Sequence, residues 1–207
     1  MKKILILDCG VGNLASISAS LKKAGAEPRI VSSIILEEDF DGLVIPGVGS
    51  YSAAFEKVDE ERERIMSIAE NGYPILGICL GLQLMFNGSE EGKPSEKGLG
   101  FFRGLVKRIP VRRLPHMGWN NIEIVRKSVI LNGLANGAYM YFVHSYAPLD
   151  YDAEDASAFT SYEGLKFPVV FEKGNIFGVQ FHPEKSWQAG LRILENFLRL
   201  CGGGASV

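Results

Sequence analysis

Short, continuously apolar runs alternate with amphipathic stretches along the first half of the chain. Lys3 to Leu7 is one such run, ended by Asp8 and the glycine-rich turn Gly10-Val11-Gly12. Leu43 to Ile45, followed by Pro46-Gly47-Val48-Gly49, and Pro74 to Ile78 read the same way. Runs of this length without polar alternation are characteristic of parallel strands buried on both faces. Between them, Leu14 to Ala24 predicts a helix stopped by Gly25 and Pro28. Residues 51 to 70 predict an amphipathic helix whose charged stretch, Glu56 to Arg64, is a solvated face. A further helix runs from Cys79 through Phe86. This alternation predicts an α/β fold, a central and mostly parallel sheet with helices on both faces.

The second half is β-rich. Short strands are expected at Trp119 to Val125, Tyr139 to Val143, Ser157 to Tyr162, Val169 to Glu172 and Ile176 to Phe181. Lys173-Gly174-Asn175 has the composition of a hairpin turn between the last two. Asn87 to Gly100, rich in Gly, Ser, Glu and Lys, reads as a mobile surface loop. Trp187 to Leu200 closes the pattern as an amphipathic helix. With neither an internal repeat nor a separating linker, residues 1–201 are expected to form one domain, and 202–207 a disordered tail.

Composition narrows the function classes. The 207 residues carry a formal net charge of -2, which lacks the basic footprint of a nucleic-acid binder. No stretch approaches a membrane span, and Ile4 to Leu7 is too short for a signal sequence. Cys9, Cys79 and Cys201 are odd in number and far apart, so neither a disulfide framework nor, with three histidines, a structural metal site is expected. The cytoplasm is the expected compartment, and no cofactor is called for.

The sharpest local feature is Gly77-Ile78-Cys79-Leu80-Gly81, placed between a buried strand and a helix. That is the arrangement of a nucleophile elbow, with cysteine in place of serine. Glycines two positions either side remove Cβ atoms that would collide across the turn. The turn pushes the sulfur out at the carboxyl end of the sheet and sets it at a helix N-terminus, which favours thiolate. The next backbone N–H, on Leu80, faces the place where an oxyanion forms.

A cysteine hydrolase also needs a base. His182 follows a strand and is followed by Pro183-Glu184. Pro183 is expected to fix the chain in an extended conformation, so that residues 182 and 184 project to the same side and the carboxylate orients the imidazole. Neither of the other histidines has an acidic residue so close. His144, at a strand end, is consistent with a pocket lining or with a core histidine. His116, in Pro115-His116-Met117-Gly118-Trp119-Asn120, points to partner contact or structure. Pro46-Gly47-Val48-Gly49 opens at the same sheet edge as Cys79, where the Val48 N–H is the candidate second oxyanion donor. It is not a phosphate loop, because the GxxxxGK[ST] pattern is missing.

Taken together, the Gly-Ile-Cys-Leu-Gly elbow, Pro46-Gly47-Val48-Gly49 and Gln180-Phe181-His182-Pro183-Glu184 resemble the class I glutamine amidotransferases. Asp8 to Leu14, His116-Met117-Gly118-Trp119-Asn120, Tyr141 to Tyr146 and Lys185-Ser186 are most similar to one branch, the glutaminase subunits of imidazole glycerol phosphate synthase in histidine biosynthesis. The resemblance runs from the first strand to the last helix. It implies a flavodoxin-like three-layer fold and hydrolysis of glutamine by a Cys79, His182 and Glu184 triad, with Val48 and Leu80 as oxyanion donors. Gly47, Gly49, Gln83, Ser145 and Tyr146 match positions that hold glutamine in the family. The implied partner is a separate (β/α)8 cyclase subunit in a heterodimer that receives the ammonia. Asn13, Met117, Trp119, Tyr141 and Lys185 match positions near that interface. Arg108, Arg112 and Arg113 fit either a charged rim to it or a solvated loop. The chain departs from the family at Cys9, where an aromatic Tyr is usual on the loop that faces the partner.

Two rival readings differ in kind. A sister amidotransferase, a γ-glutamyl hydrolase or a cysteine peptidase also uses an elbow cysteine and a histidine, but Glu184 and the His-Met-Gly-Trp-Asn segment favour the glutaminase. A catalytically silent subunit that only binds a partner has no need of Cys79, His182 and Glu184 together.

Overall fold

The computed structural model describes residues 1–10 and 12–202. The first half runs β1 (Lys2–Leu7), α1 (Leu14–Lys23), β2 (Ala26–Val31), β3 (Gly42–Gly47), α2 (Tyr51–Glu60), α3 (Arg62–Glu70), β4 (Ile75–Cys79) and the one-turn α4 (Leu80–Gln83). The second half holds β5 (Gly88–Ser89), β6 (Gly104–Arg108), β7 (His116–Asn121), β8 (Glu123–Ile124), β9 (Tyr139–His144) and β10 (Tyr146–Tyr151). It continues through β11 (Ala156–Tyr162), β12 (Leu165–Lys173) and β13 (Ile176–Val179) to α5 (Trp187–Leu200).

Eight strands form the main sheet in the order β2-β1-β3-β4-β13-β12-β11-β8. From β2 to β13 neighbours are parallel; β12, β11 and β8 extend the sheet antiparallel. Successive side chains of a strand point to opposite faces, and the core follows that rule. Ile4, Ile6, Val44, Leu76, Ile78, Phe177 and Val179 meet Ile17 and Leu21 of α1 and Ile193, Leu194 and Phe197 of α5. Leu5, Leu7, Leu43, Ile45, Ile75 and Ile176 meet Ala54 and Val58 of α2 and Ile65 and Ile68 of α3, beside Phe86, Phe102 and Phe171. Both faces are therefore covered, as the uninterrupted apolar runs require.

The register at the carboxyl edge positions the site. Gly47 pairs with Cys79, and Val179 pairs with Ile78, so β3, β4 and β13 end side by side. Two smaller sheets, β10-β6-β5 and β7-β9, lie outside the main one.

Several expectations shift. The helix over 51–70 breaks at Glu61, whose buried carboxylate accepts from the Ile34 N–H at 2.9 Å and the Ser33 hydroxyl at 2.9 Å. Glu61 is therefore an anchor rather than part of a solvated face. The loop 87–100 is tied down, with buried Glu96 bound to Ser52 Oγ at 2.7 Å and the Leu99 N–H donating to Leu84 O at 2.7 Å. The helix expected from Cys79 through Phe86 ends at Gln83, and the strand expected to reach Phe181 ends at Val179. Strands β2, β5, β6 and β10 are not predicted by the hydrophobic pattern. Of the tail, Gly202 stands in an exposed turn, and 203–207 lie outside the described residues.

Candidate active site

Cys79 ends β4 with φ 53° and ψ -106°, a left-handed backbone for a residue with a Cβ. Such a conformation costs about 1–3 kcal/mol and persists only where packing imposes it. The flanking glycines do this by letting the chain close up. A Cβ at Gly81 would lie 1.8 Å from Ile45 O, and one at Gly77 would lie 2.7 Å from Met85 Sδ and 2.8 Å from Leu82 N. A Cβ at Gly47 would come within 2.9 Å of Leu80 Cβ, so the second glycine loop packs directly on the elbow. Because α4 is a single turn, it offers the sulfur little of the dipole expected of a longer helix.

His182 is supplied by the segment after β13. Its backbone N–H donates to Tyr141 O at 2.9 Å, and the Ser186 hydroxyl donates to His182 O at 2.6 Å. The following residues form a 3-10 turn, Pro183–Lys185, rather than the extended strand expected. The turn still brings the carboxylate under the ring, with His182 Nδ1 and Glu184 Oε1 2.8 Å apart. Among the described residues, the buried Nε2 has no hydrogen-bond partner of ordinary geometry. Burial works against a charged His182, but Cys79 and Glu184 beside it outweigh that and raise its pKa to about 10. At neutral pH the imidazole therefore holds its proton next to the sulfur.

In front of Cys79 lies a cavity of about 260 Å³ lined by Val48, Gly49, Leu80, Gln83, Ser145 and Tyr146 together with Glu91, Pro115, Val143 and His144. Eight of the residues singled out from the sequence, Cys79 and His144 included, thus surround one space. Gly47 does not line it but abuts the elbow from behind. Glu91 is not expected here from sequence, because its segment, rich in Gly, Ser, Glu and Lys, predicts a mobile surface loop. Burial raises its pKa, and the backbone N–H of Tyr51 works the other way.

His144 lines the cavity and is also buried against His116, with His116 Nδ1 and His144 Nε2 3.0 Å apart. The cross-strand pairing of β7 with β9 sets this contact, because His116 stands opposite His144. Burial pushes His116 down to about 4 and His144 down to about 3, the latter helped by the neighbouring His116 and His182. Both are neutral where His182 is charged.

The matching family is glutamine amidotransferase class-I, over residues 5–201. The chain belongs to the class I glutamine amidotransferase family. It is 44% identical to the imidazole glycerol phosphate synthase subunit HisH of Methanosarcina acetivorans over 97% of this chain and 100% of the relative. The same identity and coverage hold for the protein of that name from Pyrococcus furiosus. A solved structure of a glutamine amidotransferase superposes with a TM-score of 0.75 at 21% identity, covering 95% of this chain and 97% of the other, a likeness of fold.

On this amidotransferase, β7 and β9 also carry an exposed aromatic patch. Trp119 stands edge-on to Tyr141 at 5.9 Å, and Lys185 Nζ lies 5.4 Å from the Tyr141 ring centre. Met117, on the same face of β7 as Trp119, is 61% exposed. Trp187, which the sequence predicts only as the start of a helix, joins the patch at 5.7 Å from Trp119 and is 83% exposed. Asn13 is exposed but caps α1, its side chain accepting from the Ser16 N–H at 3.1 Å. The backbone N–H groups of Arg112 and Arg113 donate to Glu163, and that of Arg108 to Glu90, which fixes the course of their chain segments. Cys9 turns into the core, so it offers no contact surface for a partner.

Gly81→Ala forces a methyl against the Ile45 carbonyl and is expected to cost more than about 3 kcal/mol, read from urea unfolding. The buried histidines set a pH dependence. Below an unfolded pKa of 6.5, the unfolded chain takes up protons that folded His116 and His144 refuse, so stability falls as pH drops from 6.5 towards 4. His182 works in the opposite window: its contribution is complete below 6.5 and lost as pH rises towards 10. Urea midpoints measured across pH 4 to 9 check both limbs, and a midpoint constant from 6.5 to 4 would contradict the first.

Proposed function

We propose that this chain hydrolyses glutamine to glutamate and ammonia, as the glutaminase subunit of an imidazole glycerol phosphate synthase in histidine biosynthesis. One observation carries the chemistry: a cysteine held in left-handed backbone at a strand end, beside a histidine kept protonated and backed by a carboxylate at 2.8 Å. That is the set needed for thioester hydrolysis. The near-complete match to proteins named as subunits of that synthase supports the pathway.

Cys79 Sγ attacks the side-chain amide carbon of glutamine, and the carbonyl oxygen takes up the charge near the Leu80 and Val48 N–H groups. His182, already protonated, gives its proton to the amide nitrogen as the C–N bond breaks and ammonia leaves. Water then attacks the thioester and yields its proton to His182. The C–S bond breaks, releasing glutamate and restoring the thiolate–imidazolium pair. Glu184 holds the imidazole in position and stabilises its charge. Gly49, Gln83, Ser145 and Tyr146 frame the substrate, while Gly47 lets their loop pack on the elbow. The Glu91 carboxylate, on the cavity wall, suits the α-ammonium of glutamine.

Residues 1–201 act as one amidotransferase domain in the cytoplasm, paired with a (β/α)8 cyclase subunit in a heterodimer. The patch of Met117, Trp119, Tyr141 and Lys185 is the docking face, since exposed aromatics clustered on rigid strands are typical binding anchors. Among the described residues no helix is long and apolar enough to cross a membrane.

Ammonia and glutamate release should vanish in Cys79→Ala and fall by about 10²-fold or more in His182→Asn and Glu184→Gln. Adding the cyclase subunit and its ligand should raise the wild-type rate. Release that persists in Cys79→Ala would overturn the mechanism. Release indifferent to the partner would move the chain to another amidotransferase.

A further inference from the structure

Beyond the triad, a second polar side chain lies against the reacting sulfur. Gln180 is completely buried between the end of β13 and His182, and the chemistry above gives it no role. Its Nε2 lies 3.7 Å from Cys79 Sγ. Among the hydrogen bonds described at that sulfur, the other is to Val143 O at 3.9 Å, an acceptor that suits a thiol but does nothing for a thiolate. Gln180 presents the opposite polarity if its amide nitrogen, and not its oxygen, faces the sulfur.

The surrounding bonds decide that orientation. Tyr146 O, a carbonyl that only accepts, lies 2.9 Å from the Gln83 amide, so Gln83 turns its NH2 group that way. The same nitrogen reaches Gln180 at 3.2 Å, and the atom that receives it must be Oε1. Gln180 is left with its NH2 group directed at Cys79. The second lone pair of Tyr146 O takes His144 Nδ1 at 2.9 Å. From there the chain of bonds runs outward without conflict: His144 Nε2 accepts from His116 Nδ1, and His116 Nε2 accepts from Asn120 Nδ2 at 3.1 Å. Asn120 Nδ2 is a donor in any case, because it also bonds Ser161 O at 2.9 Å. The set is satisfied only with two neutral imidazoles, which is how burial holds them.

We propose that Gln180 is a further catalytic residue, whose side-chain N–H donates to Cys79 Sγ and favours the thiolate, with Gln83 and the Tyr146 carbonyl fixing which end of the amide faces the sulfur. A donor aimed at an ionised acceptor in a buried site is about twice as strong as a neutral pair. It also stands where the one-turn α4 supplies little dipole. The proposal rests on Cys79 being the nucleophile, and its test needs neither glutamine nor the partner, so its failure would leave the glutaminase reading untouched.

The full-length chain is alkylated with iodoacetamide across a pH series, and the modified cysteine is located by mass spectrometry. Cys9 and Cys201 make a clean background, because burial pushes both thiols up to about 12. Gln180→Met keeps the volume but removes the donor, and Gln180→Glu sets a carboxylate against the sulfur. At pH 7 the Cys79 rate should fall about tenfold in Gln180→Met and further in Gln180→Glu, with both profiles displaced to higher pH. A lowered plateau with an undisplaced profile indicates disturbed access alone and would overturn the proposal. In the unmutated chain, the Gln180 side-chain amide signal in 15N spectra should move as Cys79 titrates and stay still in Cys79→Ala. That measurement decides the matter should either variant fail to fold, and an amide signal unmoved in the unmutated chain refutes the proposal.

Discussion

The turn at Cys79 is held by close packing rather than by any one bond. Backbone at φ 53° and ψ -106° is unfavourable for cysteine by about 1–3 kcal/mol, and nothing in the residue itself recovers that. What imposes it is the approach of three backbones: the elbow at Gly77 and Gly81, the end of β3 at Ile45, and the loop beginning at Gly47. Each approach requires a missing Cβ. Given that contact, the rest of the site follows. Parallel pairing of β4 with β3 on one side and β13 on the other delivers the glycine loop and the histidine segment to the same edge. The strain is therefore carried by the core of the sheet, where apolar side chains are buried on both faces.

Around that turn the protein keeps two groups of ionisable side chains in opposite states. His182 is charged because Cys79 and Glu184 outweigh its burial, whereas His116 and His144 are neutral because no carboxylate accompanies theirs. In the proposed chemistry the charged histidine serves proton transfer, and the neutral pair serves orientation. Neutral imidazoles have one donor and one acceptor each, so a line of them transmits a direction to the groups at its end. Here the line starts at Asn120 on β7, next to the exposed Trp119, and ends on the carbonyl of a cavity residue. The same strand pair thus carries the aromatic patch on one face and the buried hydrogen bonds on the other.

Much of this was legible in the residues. The parallel half of the sheet reads directly because its strands are uninterrupted apolar runs, and the triad reads because each part sits in a short contiguous motif. The parts that did not read have a common physical cause: a polar residue shows its polarity in sequence but not its partner. Glu61 and Glu96 look like solvated charges until Ile34, Ser33 and Ser52 are folded against them. Glu91 lies in a stretch whose glycines and charges suggest a free loop, yet it lines the cavity. Gln180 was visible as part of the His182 motif, but its contact with Cys79 depends on β13 lying beside β4. β2 was hidden by Pro28, which is tolerated because β2 is an edge strand. β6 and β10 lack the continuous apolar runs by which the buried strands declared themselves.

The central claim is that Cys79, set on its strained turn, carries the acyl group of glutamine. The most direct measurement mixes the protein with glutamine, quenches in acid within the first turnovers and maps the modified peptide by mass spectrometry. The expected result is a γ-glutamyl group on the peptide containing Cys79, decaying as glutamate appears and absent in Cys79→Ala. Glutamate formed at the full rate with the acyl group on another residue, or with none on Cys79 at any time, would contradict it.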